Sequence, residues 1–432
     1  MSFFDLPRLS KYYSNTSWLV FERILRMVIA LFIGIYVARY LGAERYGLLS
    51  YANSFVGLFI ALSTLGLDAI VVRELVKNTE RRNELLGTAF GLKIMGAILM
   101  WLVILVAVYL TDSDAQANTF IAIIAFGVIF QAFNVIDFNY QAEVKSKYVV
   151  HAQLAQLVIS SICKLLLVFY QAPLIWFAWI YCLDAAVLAL GLAIMYLRYT
   201  GKIIVWRLKW SVVKELLSNS WLLLLYAYFV TINMNIDIVM VKHILGNESA
   251  GHYSVAMTLS AVWYFLPVVI GSTFFPYIIS RKSDPNYKKR VSSLFALLTL
   301  IALLGAIVVS SLSYWIVTML YGYEYAEAAN ILSIHIWTGV FVFHVSIRSR
   351  MLISDNLHHF SMLFMLFGVI VNMIGNYILI PLYGGSGAAY ASLISWAGNV
   401  LVFPLLNKNT RYFVKLFFTS PNELFQSKRH IR

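Results

Sequence analysis

Charged side chains stand inside segments of this sequence that are otherwise long and apolar. The first such stretch, SWLVFERILRMVIALFIG at residues 17–34, contains Glu22, Arg23 and Arg26. An isolated charge near the centre of a bilayer costs roughly 2.5–3.5 kcal/mol on insertion scales. Charges that are kept there bind a ligand, carry an ion or pair with one another. These residues are therefore the first candidates for function.

Four basic side chains are predicted at mid-depth, all in the first half of the chain: Arg23, Arg26, Lys93 and Lys164. Arg26 lies about three residues, ~4.5 Å at helical rise, from the centre of its segment, which is too deep for easy snorkelling. Arginine offers a planar fork of donors that matches phosphate oxygens, and lysine offers a mobile point charge. We expect these four residues to contact an anionic substrate group. The alternative is that they are structural charges, and Glu22, four residues before Arg26 on one helix face, is then the expected pairing partner.

Two carboxylates, Asp184 and Asp237, also fall well inside apolar segments. A buried carboxylate can take up a proton or hold a cation, so both are candidate carriers of H+ or Na+. Asp184 has an equally good alternative role, which is to neutralise a neighbouring Lys or Arg. No catalytic constellation and no metal-ligand spacing is evident. Cys163 and Cys182 are interpreted as small core residues, and no cofactor is expected.

The composition places the whole chain in a membrane. Of its 432 residues, 61% are apolar and only 12% are charged, which leaves too few polar residues to cover a soluble protein of this size. The net charge of +13 does not indicate a nucleic-acid partner, because the basic residues are spread thinly between apolar segments.

Twelve apolar segments are each long enough to cross a hydrocarbon core of about 30 Å. They predict an all-α, polytopic membrane protein with about 12 transmembrane helices. The segments lie near 17–41, 47–72, 85–110, 119–141, 148–170, 174–197, 217–241, 253–280, 292–320, 328–347, 358–381 and 386–407.

The basic residues between these segments alternate between the two sides of the membrane. Of the 33 Lys and Arg, 28 lie outside the predicted spans, and 26 of those fall in alternate connections that begin with the N-terminal tail. Only Arg45 and Lys242 fall in the other connections. The positive-inside rule therefore predicts that both termini are cytoplasmic. No connection is long enough for a soluble enzyme domain, and no phosphate-binding G-x-x-x-x-G-K-[ST] stretch occurs.

An internal repeat relates the two halves of the chain. LGAERYGLLSYA, which starts at Leu41, recurs as LGNESAGHYSVA, which starts at Leu245, with Leu, Gly, Glu, Gly, Ser and Ala matched at an offset of 204 residues. The first copy joins predicted helices one and two, and the second joins helices seven and eight. The repeat predicts two pseudo-symmetric six-helix lobes that cross the membrane in the same direction.

The N-terminal stretch resembles a known family. ARYLGAERYGLLSYA and the following LGLDAIVVRE look like the opening of the Wzx-type O-antigen and polysaccharide flippases, which belong to the multidrug/oligosaccharidyl-lipid/polysaccharide exporter superfamily. The resemblance implies lobes at residues 1–210, the cationic one, and 211–410 around a central cavity, with a cytoplasmic tail at 411–432. It implies a multi-pass protein of the bacterial inner membrane that serves lipopolysaccharide or related polysaccharide biosynthesis.

The activity that the resemblance implies involves no covalent chemistry. An undecaprenyl-diphosphate-linked oligosaccharide would move from the cytoplasmic to the outer leaflet by alternating access, coupled to H+ or Na+, and polysaccharide polymerase machinery would be a further partner. Two other functions remain open. A multidrug and toxin extrusion antiporter would need a carboxylate-lined cavity for cationic drugs. A membrane-embedded ligase or polymerase of lipid-linked sugars would need a long outer loop that carries catalytic residues.

Overall fold

The fold is built almost wholly from α-helices. The computed structural model describes residues 6–110, 114–355 and 357–418, with only the backbone described at 6–23, 272, 273, 276 and 358. No β-strand occurs in these described ranges. In chain order the α-helices are α1 (Leu6–Thr64), α2 (Asp68–Lys77), α3 (Arg82–Leu110), α4 (Ala115–Gly127), α5 (Val135–Ala142), α6 (Lys147–Phe169), α7 (Leu174–Tyr199), α8 (Trp210–Leu245), α9 (Asn247–Ala261), α10 (Phe265–Ile279), α11 (Tyr287–Tyr321), α12 (Ala326–His335), α13 (Thr338–Ser354), α14 (His358–Tyr383) and α15 (Gly385–Ala397).

The described helices are numerous and apolar enough to confirm a polytopic membrane protein. Ten segments are long enough to cross a membrane, and a pair bent by 48°, Tyr323–His335 with Thr338–Ser354, supplies an eleventh. α1 itself contains two helices, because Gly42 interrupts it with non-helical backbone angles (φ 73°, ψ 168°). Counted in this way, the described chain agrees with the predicted all-α fold of about 12 spans.

One predicted span, 47–72, is interrupted in the structure. α1 ends at Thr64 and α2 begins at Asp68, with Leu65 and Gly66 both at positive φ between them. A Cβ atom on Gly66 would lie only 2.5 Å from the backbone nitrogen of Leu224 in α8. Glycine is required here both for the left-handed conformation and for the close approach of two backbones.

Another predicted span, 328–347, differs in shape and in length. It consists of α12 and α13, which meet at the 48° bend, and α13 continues to Ser354. Arg348, which the sequence pattern places in the connection after this span, lies within the longer helix. It is buried and donates hydrogen bonds to the π-helical turn Gly398–Val402.

The two copies of the repeated sequence form equivalent turns. Gly42 and Gly246, 204 residues apart, both have positive φ, at 73° and 95°. The first copy is further held by Glu324, whose carboxylate accepts a hydrogen bond of 2.7 Å from the backbone nitrogen of Ala43. An acidic side chain at the start of a helix is favoured by the helix dipole and by the unpaired backbone donors there.

Contacts divide the chain into two compact units. Unit 1 comprises Met1–Leu41 and Ala52–Thr231, and unit 2 comprises Gly42–Tyr51 and Ile232–Arg432. The first copy of the repeat thus packs with the second copy inside unit 2. Whether the functional lobes divide at 210/211 stays a prediction. Unit 1 has a core of buried apolar side chains drawn from α2, α3, α5, α6, α7 and α8, among them Ile70, Leu85, Val135, Leu192 and Leu216.

Candidate functional site

A buried ion pair lies in unit 1 where the chain turns at Gly66. The turn ends α1 and places Asp68 in the first turn of α2, where the helix dipole favours an acidic side chain. Its Oδ1 lies 3.0 Å from Nζ of Lys93 in α3. The side chain of Lys93 is 4% exposed, and that of Asp68 is 56% exposed. The ammonium group also lies 4.6 Å from the ring centroid of Phe138, a cation–π contact. The charge of Lys93 is therefore held in place from two sides.

Arg26 of α1 belongs to the same region of unit 1. Its Nη2 donates a hydrogen bond to Oε1 of Gln153 in α6, and both side chains are half-buried. The charges of Asp68, Lys93 and Arg26 all act on the carboxyl group of Asp137 in α5. Arg26, Asp68, Lys93 and Asp137 thus form one group of mixed charge among membrane helices, which we call the unit 1 charge cluster.

Lys164 lies apart from this cluster. It is eleven residues after Gln153 on α6, which is about 16 Å along the helix. Its Nζ lies 3.3 Å from Oδ2 of Asp184 in α7, and both side chains are partly exposed. Oδ1 of Asp184 is buried and has no hydrogen-bond partner among the described residues. This pairing agrees with the alternative role of Asp184, which is to neutralise a neighbouring Lys or Arg.

Two candidate residues of the first helix cannot be placed by their side chains. Glu22 and Arg23 lie in α1, but their side chains are outside the described residues. The proposed pairing of Glu22 with Arg26 and the role of Arg23 in substrate contact remain predictions.

Asp237 is at the centre of a buried hydrogen-bond network in unit 2. Its side chain is in α8 and is 2% exposed. Oδ2 accepts hydrogen bonds from the hydroxyl of Tyr253 in α9, at 2.7 Å, and from that of Ser392 in α15. Oδ1 accepts one of 2.6 Å from Nδ2 of Asn376 in α14. Asn372, one turn before Asn376, donates to Oγ of Ser392 at 3.2 Å and accepts from Asn376 at 3.1 Å.

One oxygen atom of this network has no hydrogen-bond donor within the described chain. In the part of the chain that the structure describes, no Lys or Arg forms an ion pair with Asp237, so its charge is held by neutral donors alone. Oδ1 of Asn376 is buried and has no hydrogen-bond partner among the described residues. A buried acceptor without a donor costs about 1–3 kcal/mol, which a bound cation or water would remove.

Sequence reasoning found Asp237 and noted Asn372 and Asn376 as hydrogen-bonding residues, but it did not connect them. Asn372 and Asn376 stand four residues apart on one helix face, a spacing that could have identified them as a pair. Tyr253 lies in the second copy of the repeat. His335, which is 5% exposed and whose ring lies 6.0 Å from that of Tyr253, gave no signal in the sequence because its position depends on the bend between α12 and α13.

Unit 2 also contains a buried cation. Arg348 is 3% exposed, its Nη1 donates to the backbone oxygen of Asn399 at 2.6 Å, and its Nη2 donates to the side-chain oxygen of the same residue. Its guanidinium carbon lies 4.9 Å from the ring centroid of Phe364. The sequence pattern located no deep basic residue in the second half, because Arg348 follows the last strongly apolar residues of its segment.

Among the described residues, no group of three or more His, Cys, Asp or Glu side chains is arranged to hold a metal ion.

Comparison with solved structures identifies a shared fold. The lipid II flippase MurJ in an inward closed conformation aligns with a TM-score of 0.71 and 16% identity, covering 94% of this chain and 91% of the other. An inward-facing multidrug resistance MATE family transporter of the MOP superfamily aligns with a TM-score of 0.69 and 11% identity, covering 94% and 96%. A MOP superfamily transporter from Pyrococcus furiosus aligns with a TM-score of 0.54 and 13% identity, covering 91% and 96%.

Comparison with sequence families gives the identity of the chain. No curated protein matches the sequence. The family described as "polysaccharide biosynthesis protein" matches residues 13–282, which is more than half of the chain. This match, together with the fold, confirms the resemblance seen in the opening stretch. The chain is a multi-pass membrane protein with the fold of MOP superfamily transporters, and it belongs to the polysaccharide biosynthesis protein family.

Proposed function

We propose that this protein translocates an undecaprenyl-diphosphate-linked oligosaccharide from the cytoplasmic to the outer leaflet by alternating access. The proposal joins the family match to the activity of one structural neighbour, the lipid II flippase MurJ. Moving such a lipid forms and breaks no covalent bond. The protein must instead provide counter-charges for the diphosphate and a surface for the sugar within the membrane.

The observation that carries the proposal is the unit 1 charge cluster. Arg26 and Lys93 lie on two membrane helices of one compact unit, and each is positioned by a partner, Gln153 for Arg26 and Asp68 for Lys93. A diphosphate needs such pre-positioned cations because phosphate charges are poorly stabilised at low dielectric. Arg26 supplies a fork of donors for two oxygens, and Lys93 supplies a second positive charge. Asp68 and Asp137 balance these charges when no diphosphate is present.

The network around Asp237 supports a role in ion coupling. A Na+ ion there would find the carboxylate of Asp237 and the neutral oxygens of Ser392, Asn372 and Asn376, and an all-oxygen donor set suits a hard monovalent cation. A proton would bind to the carboxylate itself. In either case the chain's own contribution is to hold Asp237 ready in a dry environment. Asp184 is the weaker candidate, because Lys164 already lies 3.3 Å away.

The direct test is a leaflet-accumulation assay in proteoliposomes. The purified protein is reconstituted with a fluorescent undecaprenyl-diphosphate oligosaccharide, and the fraction that reaches the opposite leaflet is measured with an impermeant quencher. We expect protein-dependent movement that an ion gradient accelerates. Export of an organic cation without movement of the lipid would instead identify a drug antiporter, and new glycosidic products would identify a sugar transferase.

A further inference from the structure

A cavity opens on the surface of unit 2 between α10 and α11. Its volume is about 430 Å³, within the range of about 300–1,000 Å³ that is usual for small-molecule sites. One wall is apolar and is formed by Phe274, Ile278, Leu294 and Leu297. The cavity has no part in the charge cluster of unit 1 or in the network around Asp237, so the proposed transport activity does not account for it.

The mouth of the cavity is basic. Lys289 and Arg290, at the start of α11, line it together with the polar side chains of Asn286 and Ser293. Nη2 of Arg290 is held by Asp284 at 2.8 Å, whereas Nη1 is buried and has no hydrogen-bond partner among the described residues. Asp284 thus fixes this guanidinium group beside the cavity.

Tyr277 joins the basic mouth to the apolar wall. Its ring centroid lies 4.0 Å from the guanidinium carbon of Arg281 and 5.5 Å from that of Arg290. Two cations against one aromatic ring place a concentrated positive charge above an apolar surface. The surrounding segment, RKSDPNYKKR, contains five Lys and Arg and a single acidic residue, Asp284. An anionic group is therefore the complementary ligand at the mouth.

The apolar wall continues along α11 away from the basic mouth. Leu297, Leu300, Leu304 and Ile307 follow one another at intervals of three or four residues, which places them on one face of the helix. Their exposed fractions are 37%, 48%, 56% and 51%. A row of exposed apolar side chains that leads away from a basic pocket in a membrane protein matches the shape and polarity of a lipid with an anionic headgroup.

We propose that this cavity binds an anionic phospholipid of the surrounding bilayer. The phosphate lies at Lys289 and beside the guanidinium group of Arg290, the glycerol region fills the space beside Ser293, and an acyl chain follows Leu297, Leu300 and Leu304. Because the positive-inside pattern predicts that RKSDPNYKKR is cytoplasmic, the lipid comes from the inner leaflet.

The test measures retained lipid on the full-length protein by native mass spectrometry during titration with phosphatidylglycerol or phosphatidylcholine of the same chain length. Lys289→Gln removes a charge from the cavity mouth, and Lys288→Gln, one residue earlier, removes the same charge from an exposed position that does not line the cavity. We expect Lys289→Gln to weaken phosphatidylglycerol binding about fivefold, as one basic residue near a membrane surface should. Lys288→Gln should change it less than twofold.

A third variant separates a cavity from a charged surface. Ser293→Trp keeps every charge but fills the cavity with an indole ring, so it should abolish the specifically retained phosphatidylglycerol. The thermal midpoint of each variant shows whether it is folded. If Ser293→Trp does not fold, the comparison of Lys289→Gln with Lys288→Gln still tests the site.

Three results would overturn the proposal. Equal weakening by Lys288→Gln and Lys289→Gln would mean that lipid is attracted only by the general charge of the loop. Retention of lipid by a folded Ser293→Trp variant would mean that the cavity is not the site. Displacement of phosphatidylglycerol from the cavity by equimolar undecaprenyl diphosphate would assign the cavity to the transported lipid instead.

Discussion

Gly47 and Gly251 occupy equivalent positions in the two copies of the repeat, and each lies against the backbone of the other copy. A Cβ atom on Gly47 would lie 1.8 Å from the carbonyl oxygen of Asn247, and one on Gly251 would lie 2.0 Å from that of Ala43. Ala43 and Asn247 are themselves equivalent, at the same offset of 204 residues. The repeated sequence thus forms a contact with local two-fold symmetry, in which close packing of helices depends on the absence of a side chain.

This contact predicts that the two glycines are equally intolerant of a methyl group. Gly47→Ala and Gly251→Ala should each lower the thermal midpoint of the purified protein, because the added atom would overlap a backbone oxygen that cannot move independently. Overpacking of this kind costs about 1–3 kcal/mol or more.

The matched control for these variants is Gly34→Ala. Gly34 also lies in α1, but nothing lies within 4 Å of the position that its Cβ would take. Alanine should be neutral there, or stabilising by up to about 1 kcal/mol through its helix propensity. If all three variants had the same midpoint, the close contact between the repeat copies would be contradicted.

The ion pair of Lys93 and Asp68 predicts an asymmetric response to mutation. Asp68→Asn leaves a buried ammonium group without its counter-charge, and the cost should be larger than that of the reverse change but below the about 3–5 kcal/mol of a fully buried pair, because Asp68 is partly exposed. Lys93→Met leaves a carboxylate that is 56% exposed and can be solvated, so it should cost about 1 kcal/mol or less. Denaturation midpoints of the two variants test this order.

Transport separates a structural role of this pair from a role in substrate binding. If Lys93 contacts the diphosphate, Lys93→Met should lose most transport while remaining folded. A folded Lys93→Met variant with normal transport would restrict Lys93 to a structural role.

The role of Arg26 is tested by keeping or removing its charge. Arg26→Lys should retain part of the transport rate and Arg26→Ala should lose most of it, because the phosphates would meet a low-dielectric site without a counter-charge. The measurement is lipid translocation at matched protein levels.

Loss of folding could imitate loss of transport in Arg26→Ala, because Glu22 is predicted to lose its partner. The control combines Glu22→Gln with Arg26→Ala, which deletes the predicted pair together and should restore protein level without restoring transport. Normal transport by this double variant would mean that the substrate's phosphates are bound elsewhere.

Asp237 is predicted to couple transport to an ion gradient. Asp237→Asn should abolish acceleration by the gradient and leave downhill movement of the lipid partly intact, because the amide cannot carry a proton or balance a cation. Asp184→Asn is the comparison, since its pairing with Lys164 makes a structural effect on both activities the expected outcome. Equal loss of gradient-driven and downhill movement in Asp237→Asn would favour a structural role there too.

The topology prediction is tested with single cysteines at exposed positions in a variant that lacks Cys163 and Cys182. Gln116 follows an outer connection, and Ser283 lies in the basic segment that is predicted to be cytoplasmic. In intact cells an impermeant thiol reagent should label Gln116→Cys and should not label Ser283→Cys until the cells are permeabilised. The reverse pattern would invert the assignment of the two sides.

Much of the fold is determined by local features of the sequence. Three features can be seen in the sequence itself: apolar runs of membrane-spanning length, the alternation of basic residues, and the matched LG-x-E turns at Gly42 and Gly246. Each apolar run partitions into the membrane by its own hydrophobicity. The sequence alone therefore predicts the helical class, about twelve spans and the equivalence of the two repeat copies.

Which charges meet was decided by the tertiary structure. The sequence could not pair Lys93 with Asp68 or Lys164 with Asp184, nor could it bring Tyr253, Asn376 and Ser392 to Asp237, because the residues of each group lie on different helices. Their proximity depends on how helices rotate and pack, and on breaks such as those at Gly66 and at the α12–α13 bend. Helix rotation is set by close packing over whole faces, including glycine contacts such as Gly47 on Asn247, and no single segment encodes it.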